Sequence, residues 1–176
     1  MINFYLQARS SNHVRRMHTL RVLHNETVGE HTANVICGVM AFMDFKPSQN
    51  LLMAAASHDM EEYYTGDIPA NVKVASLKLK EALDHMEADW RKSLSVPDFK
   101  LKLTSEESLV LKFIDGYDLL CFCRTEEALG NRHLHPVSMR IQEYVHGTIV
   151  RMDDVMKIKA YDWMGRAQGE FSESKR

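Results

Sequence analysis

The chain has 176 residues, with 22 Lys and Arg against 24 Asp and Glu for a formal net charge of −2, and 45% of its residues are hydrophobic. That length suits one domain burying about 70% of its unfolded surface without staples, and 8 Gly and 4 Pro are too few for a linker-rich chain. The charge balance argues against a nucleic-acid backbone as main partner, and no apolar run approaches the roughly 18 to 20 residues that cross a bilayer, which argues against a membrane partner.

Met1 to Tyr5 lack a basic region followed by an apolar stretch, and Cys37, Cys121 and Cys123 form no C-x-x-C pair. Free thiols in a cytoplasmic protein are the expectation. Thr27-Val28-Gly29-Glu30 reads as a capping box. It predicts a helix of about four turns with Val28, Val35, Ile36, Val39 and Phe42 on its apolar side. Ser48 caps a second helix, carrying Leu51, Leu52, Ala55 and Ala56 and running out near Thr65-Gly66-Asp67. Pro69 marks a loop or a fresh helix start.

A third long helix is predicted near residues 74 to 94, with Leu79, Leu83, Met86 and Trp90 on one stripe and Pro97 ending it. A second capping box, Thr104-Ser105-Glu106-Glu107, opens a helix with Leu109, Val110, Phe113, Ile114 and Tyr117, which Gly130-Asn131 closes. Pro136 begins the last helix, with Ile141, Val145, Met152 and Val155. No alternating strand pattern occurs. The class is all-α, a single-domain bundle of about five to seven helices. It is expected to span residues 1–167, with a frayed polar tail at 168–176. Met40, Met43 and Met53 read as core filler, and Cys37 as a buried thiol.

Neither a phosphate-binding glycine loop nor a G-x-S-x-G nucleophile elbow is present. Nine histidines invite a metal reading. His58-Asp59 follows the apolar run Leu51 to Ala56, and charged groups ending a buried run need partners or a cation. Glu62 lies at i+4 from His58 and i+3 from Asp59, so one helix face is expected to present an imidazole and two carboxylates together. His31 lies one turn behind the Thr27 cap, and Asp115 and Asp118 put two carboxylates on one face of a later apolar helix. Imidazole with carboxylate suits a borderline or hard divalent ion, and such an ion suits phosphoester hydrolysis.

His31, His58-Asp59 and an Asp on a later helix resemble the H…HD…D constellation of the HD-domain phosphohydrolases. Arg16, Glu26, Glu30-His31, His58-Asp59-x-x-Glu62 and Thr65-Gly66-Asp67-Ile68-Pro69 follow the order and spacing of its 5′-deoxynucleotidase subgroup. The correspondence extends through Glu106 to Val110 and on to Gly130-Asn131, over roughly residues 14 to 131. Arg16-Met17-His18-Thr19 also resembles R-[WF]-H-T of the small phage-type HD enzymes, among them a dATP triphosphohydrolase.

The resemblance implies metal ligands His31, His58, Asp59 and Asp115, with Asp118 as the alternative distal ligand or a residue on the substrate side. It implies a divalent ion, Zn, Co or Mn, with Mg possible as a second ion. Glu62 matches the residue that handles the attacking water or a nearby proton, Asp67 a residue near the sugar, and Arg16 a phosphate-contacting arginine. Met17 stands where the bacterial enzymes have Trp, so sugar recognition is expected to differ there. His18 can face the pocket, and one of Lys73, Lys78 and Lys80 can reach a β- or γ-phosphate.

The expected activity is a deoxynucleoside triphosphohydrolase with dATP as a substrate. A 5′-deoxynucleotidase acting on monophosphates is the alternative, and a non-catalytic metal-tied scaffold or nucleotide sensor is the third reading. A homo-oligomer in the cytoplasm, that of an infected host for a phage protein, completes the expectation.

Overall fold

The structure, a computed structural model, describes residues 2–173, with side chains from Phe4 to Arg166. Its elements are α1 (Ile2–Ser11), α2 (Val28–Phe42), α3 (Gln49–Ser57), α4 (Glu62–Thr65), α5 (Ala70–Ala75), α6 (Leu77–Ser93), α7 (Ser105–Ala128), α8 (His135–Ile149) and α9 (Asp154–Glu173). Short 3₁₀ helices occupy Lys100–Lys102 and Arg132–Leu134. No strand forms among the described residues; one isolated bridge pairs Arg15 with Thr27. None of the described helices is long and apolar enough to cross a membrane.

Both capping boxes form. Thr27 Oγ1 accepts the Glu30 N–H while Glu30 Oε2 accepts that of Thr27, and Thr104 and Glu107 repeat the exchange at the start of α7. The buried stripe of α2 is Val28, His31, Val35, Val39 and Phe42, three or four residues apart, so the face that drives the helix inward also carries His31 inward. α7 is the central helix, packing against α2, α3, α8 and α9. The main core joins Val35, Val39, Phe42, Leu51, Ala54, Phe113, Ile114 and Val145, and a smaller cluster joins Phe122, Cys123 and Leu134.

Two glycines on the site-bearing helices set the spacing. A Cβ on Gly38 would lie 2.6 Å from Ile114 Cγ2, so α2 approaches α7 to a distance only Gly permits. A Cβ on Gly116 would lie 3.0 Å from the Tyr144 ring, where α8 crosses the turn of α7 that bears Asp115.

Several boundaries differ from the sequence expectation. α3 stops at Ser57, and residues 58–61 form a turn instead of carrying the helix on to Thr65. The Ser57 hydroxyl donates to Met53 O, a local bond that competes with helix continuation. The helix expected over 74 to 94 is divided at Ser76, whose extended backbone and Oγ cap α6. The helix expected from Pro136 ends at Ile149, and Asp153 Oδ1 takes the Met156 N–H to start α9. α9 then continues through residues 168–173, where the composition suggests a frayed tail; residues 174–176 lie outside the described residues. Cys37 is exposed, not buried, because its position on α2 faces away from the 28-31-35-39-42 stripe.

Candidate metal centre

Three separate elements deliver one cluster of donor atoms. α2 supplies His31, fully buried; the turn after α3 supplies His58 and Asp59; α7 supplies Asp115. His31 Nε2 lies 3.1 Å from His58 Nε2, 3.5 Å from Asp59 Oδ2 and 3.2 Å from Asp115 Oδ1, and His58 Nε2 lies 3.4 Å from Asp59 Oδ2.

The tautomers follow from the partners of the other ring nitrogens. His58 Nδ1 meets Ala55 O at 2.8 Å, and His31 Nδ1 meets Asp118 Oδ2 at 2.7 Å. Both partners only accept, so each Nδ1 carries a hydrogen and each neutral ring turns its Nε2 lone pair to the centre. Two lone pairs facing each other between two carboxylates repel unless a cation sits among them. His31, His58 and Asp115 can hold a metal ion, and imidazole with carboxylate oxygen fits a borderline divalent cation.

In the metal-free protein a proton serves as that cation. Burial works to lower the pKa of His31, but its hydrogen bonds with Asp115 and Asp118 raise it to about 9. Burial conversely favours neutral Asp115, yet the His31 hydrogen bond and the charges of His58 and His31 bring it down to about 2. Burial of Asp59 is likewise outweighed by His58, and its carboxyl lies below the ordinary range.

Glu62 behaves in the opposite way. Burial, followed by the neighbouring charges of Asp59 and Asp67, raises its pKa to about 9. Its Oε2 is buried without a hydrogen-bond partner, and Lys73 Nζ is 4.0 Å from Oε1. The α3 break means that Glu62 reaches this position from the first turn of α4, not from a continuous helix face shared with His58.

Arg16 is buried on the loop before α2 and donates from Nη1 to Glu26 Oε2 at 2.8 Å. Burial opposes its charge, but Glu26, Asp59, Asp115 and Glu62 raise its pKa further. Asp67 accepts the Met17 N–H at 3.0 Å, and its Oδ2 lies 4.0 Å from His18 Nδ1. It does not cap α5, whose N-cap is Pro69.

The remaining sequence candidates divide. Met17 takes a left-handed backbone (φ 55°) and packs its side chain on the Phe122–Cys123–Leu134 cluster. Its place in the loop, not its side chain, is what Asp67 fixes. His18 and Lys78 are exposed, and Lys78 forms no ion pair among the described residues. Asp118 lies on the outer nitrogen of His31, away from the Nε2 cluster.

Sequence reasoning assigned no role to Glu26, Glu61, Arg91 or Lys100. Glu26 orients Arg16. Arg91 and Lys100 both bind Glu61, and they donate to the backbone carbonyls of Ser57 and His58 respectively. Glu26 stood in the motif and was legible there; Arg91 and Lys100 lie 34 and 42 residues from the carbonyls they meet, with no local signal. A cavity of 410 Å³ beside Glu26 is lined by Glu30, Glu126, His24 and Phe122 and includes none of the four converging residues. Its three carboxylates make it a poor place for a phosphate.

The family described as YfbR-like 5′-deoxynucleotidase matches residues 3–157. Among solved structures, the cyanophage S-2L HD phosphohydrolase DatZ, bound to dA and one catalytic Zn2+ ion, shares 18% identity at a TM-score of 0.77, with 96% of each chain covered. The PH0347 protein of Pyrococcus horikoshii OT3 shares 18% identity at a TM-score of 0.71, over 97% of this chain and 99% of that one. The HD-domain phosphohydrolase lin2634 of Listeria innocua shares 18% identity at 0.64, over 98% of both. These likenesses establish a common helical fold. No curated protein matches the chain significantly in sequence.

Proposed function

We propose that this chain, which belongs to the YfbR-like 5′-deoxynucleotidase family, is a divalent-metal-dependent hydrolase of deoxynucleoside triphosphates, releasing deoxynucleoside and triphosphate. The observation that carries the metal-dependent reading is the meeting of His31 Nε2, His58 Nε2, Asp59 Oδ2 and Asp115 Oδ1 within 3.5 Å of His31 Nε2. These four residues would hold the ion, with Asp118 orienting His31 from its far nitrogen. The donor set suits Zn, Co or Mn; the Zn2+ and dA of the cyanophage relative support a metal and a deoxynucleoside moiety here. When bound, the ion supplies Lewis acidity towards a phosphate ester and towards water.

The protein groups supply the rest. Arg16 would bind phosphate oxygens with the guanidinium donors that its Glu26 ion pair leaves over. Glu62, kept protonated by burial and by Asp59 and Asp67, would deliver its proton to the departing 5′-oxygen. Lys73 Nζ, 4.0 Å from Glu62 Oε1, is a second cation whose charge, like that of Arg16, acts on Glu62, and this favours a triphosphate over a monophosphate. Asp67, by holding Met17 N–H, would fix the loop that faces the sugar. The homo-oligomer belongs to the same reading: Val74 of α5 and Leu77 of α6, 85% and 69% exposed, offer apolar surface to another copy.

The second reading, hydrolysis of deoxynucleoside monophosphates to deoxynucleoside and orthophosphate, is favoured by the description of the family. A panel of dNTPs and dNMPs, with stripped protein resupplied with Mn, Co, Zn or Mg and the released phosphates resolved by chromatography, separates the two. Triphosphate released from dNTPs supports the first reading. Orthophosphate from monophosphates alone replaces it with the second, and no turnover with any metal leaves the scaffold or sensor.

A further inference from the structure

Beneath the turn that carries His58 and Asp59 lies an ionic cluster that the reaction above does not use. Arg91 of α6 and Glu61 are both buried, at 5% and 4% exposure. Arg91 Nη2 donates to Glu61 Oε2 and, at 2.8 Å, to Ser57 O. Lys100, on the 3₁₀ helix after α6, donates from Nζ to Glu61 Oε1 at 3.2 Å and to His58 O at 2.6 Å. One carboxylate therefore binds two cations, and each cation also grips one of two consecutive carbonyls at the end of α3.

Those carbonyls are where a helix most needs such partners. The last turn of α3 has no further N–H groups to satisfy it, and it carries the negative end of the helix dipole. A buried ion pair is a poor stabiliser compared with apolar packing, because desolvation offsets most of the attraction. Its location is more telling than its energy. Ser57 and His58 are the residues at which α3 must stop for the chain to turn, and the His58 ring takes its orientation from Ala55 O, in the same last turn. Fixing that backbone fixes where His58 Nε2 and Asp59 Oδ2 meet, 3.4 Å apart.

We infer that Glu61, Arg91 and Lys100 are positioning residues, a clamp on the α3 terminus that holds His58 and Asp59 at metal-ligand spacing. The inference rests on the metal centre proposed above. It extends the support of the site to α6 and the segment after it, which contribute no ligand.

Lys100→Met tests it, because it removes one arm of the clamp and leaves the Glu61–Arg91 pair to hold the fold. Metal-stripped wild type, Lys100→Met and Lys100→Arg are titrated with Co2+ while the visible absorption bands are followed, and each metal-free protein is melted. The clamp predicts that Lys100→Met binds Co2+ about tenfold or more weakly, in line with the loss of other outer partners of metal ligands. Its bands should change shape, its metal-free melting temperature should stay near that of wild type, and Lys100→Arg should restore affinity and bands. A purely structural role lowers the melting temperature and leaves Co2+ affinity and spectrum unchanged; that result overturns the inference. If Lys100→Met gives no cooperative melt, Lys100→Gln is titrated with the same two outcomes. Failure of wild type itself to bind Co2+ overturns the metal centre, and the clamp with it, and is thereby distinct from failure of the clamp alone.

Discussion

Asp118 gains its place from the nitrogen it touches. It meets His31 at Nδ1 and so fixes the tautomer, whereas Asp115, one turn earlier, meets Nε2. Removing the first should weaken metal binding while leaving the ligands in place. Asp118→Ala is expected to reduce metal affinity about 10- to 100-fold in a chelator competition, and Asp115→Ala more severely. Glu62 offers the complementary case. Its carboxyl holds a proton to about pH 9 because it is buried beside Asp59 and Asp67, and a Gln there keeps the shape without the proton. Glu62→Gln should bind metal as wild type does but turn over at least about 100-fold more slowly. Equal turnover in that variant would remove Glu62 from the chemistry.

Between the helices, spacing is decided by what is absent from a side chain. Gly38 lets α2 close on α7, and the contact lies between the helices that bear His31 and Asp115. Gly38→Ala brings a Cβ to 2.6 Å from Ile114 Cγ2 in a well-packed core, which should destabilise by about 1–3 kcal/mol in urea unfolding and weaken metal binding as the helices part. Gly147 of α8 gives the opposite sign. Nothing lies within 4 Å of a Cβ built there, so Gly147→Ala should stabilise by roughly 0.5–1 kcal/mol through helix propensity alone. Such contrasts are invisible in the linear pattern, where both are glycines in helices. What was legible at this scale is the start of helices. Thr27–Glu30, Ser48 and Thr104–Glu107 are local signals, and all three caps form. Breaks were not legible: the apolar spacing continues past Ser57, Ser76 and Ile149, but side-chain bonds and packing stop the helix there.

For the molecule as a whole, the His31 and Glu62 cluster links folding to pH. His31 holds its proton to about pH 9 in the folded metal-free protein but only to about 6.5 when unfolded, so its contribution to stability is complete below 6.5 and is lost as the pH rises through 9. Glu62, with a folded pKa also near 9 against 4.5, acts in the same direction. Thermal melts of stripped protein should therefore begin to fall above about pH 4.5, where the Glu62 contribution starts to be lost, and fall more steeply between about 6.5 and 9, where both are lost. At the proposed centre a divalent metal would take the place of the His31 proton, so adding it should raise the melting temperature more at the alkaline end. At about a hundredfold excess over its dissociation constant it should contribute about 2.7 kcal/mol. Melts that are independent of pH and metal would remove the coupling.

The amino-acid sequence alone determined the helical class, the capped starts of α2, α3 and α7, and the residue types of the H…HD…D set. Each depends on neighbours within a turn or two, or on a pattern written in order along the chain. Tertiary structure decided which nitrogen of His31 meets Asp115 and which meets Asp118, where α3 ends, that the Met17 side chain goes to the core, and that Arg91 and Lys100 reach the His58 turn. Those outcomes depend on the distance and orientation between helices, which are set when side chains far apart in sequence compete for the same buried space.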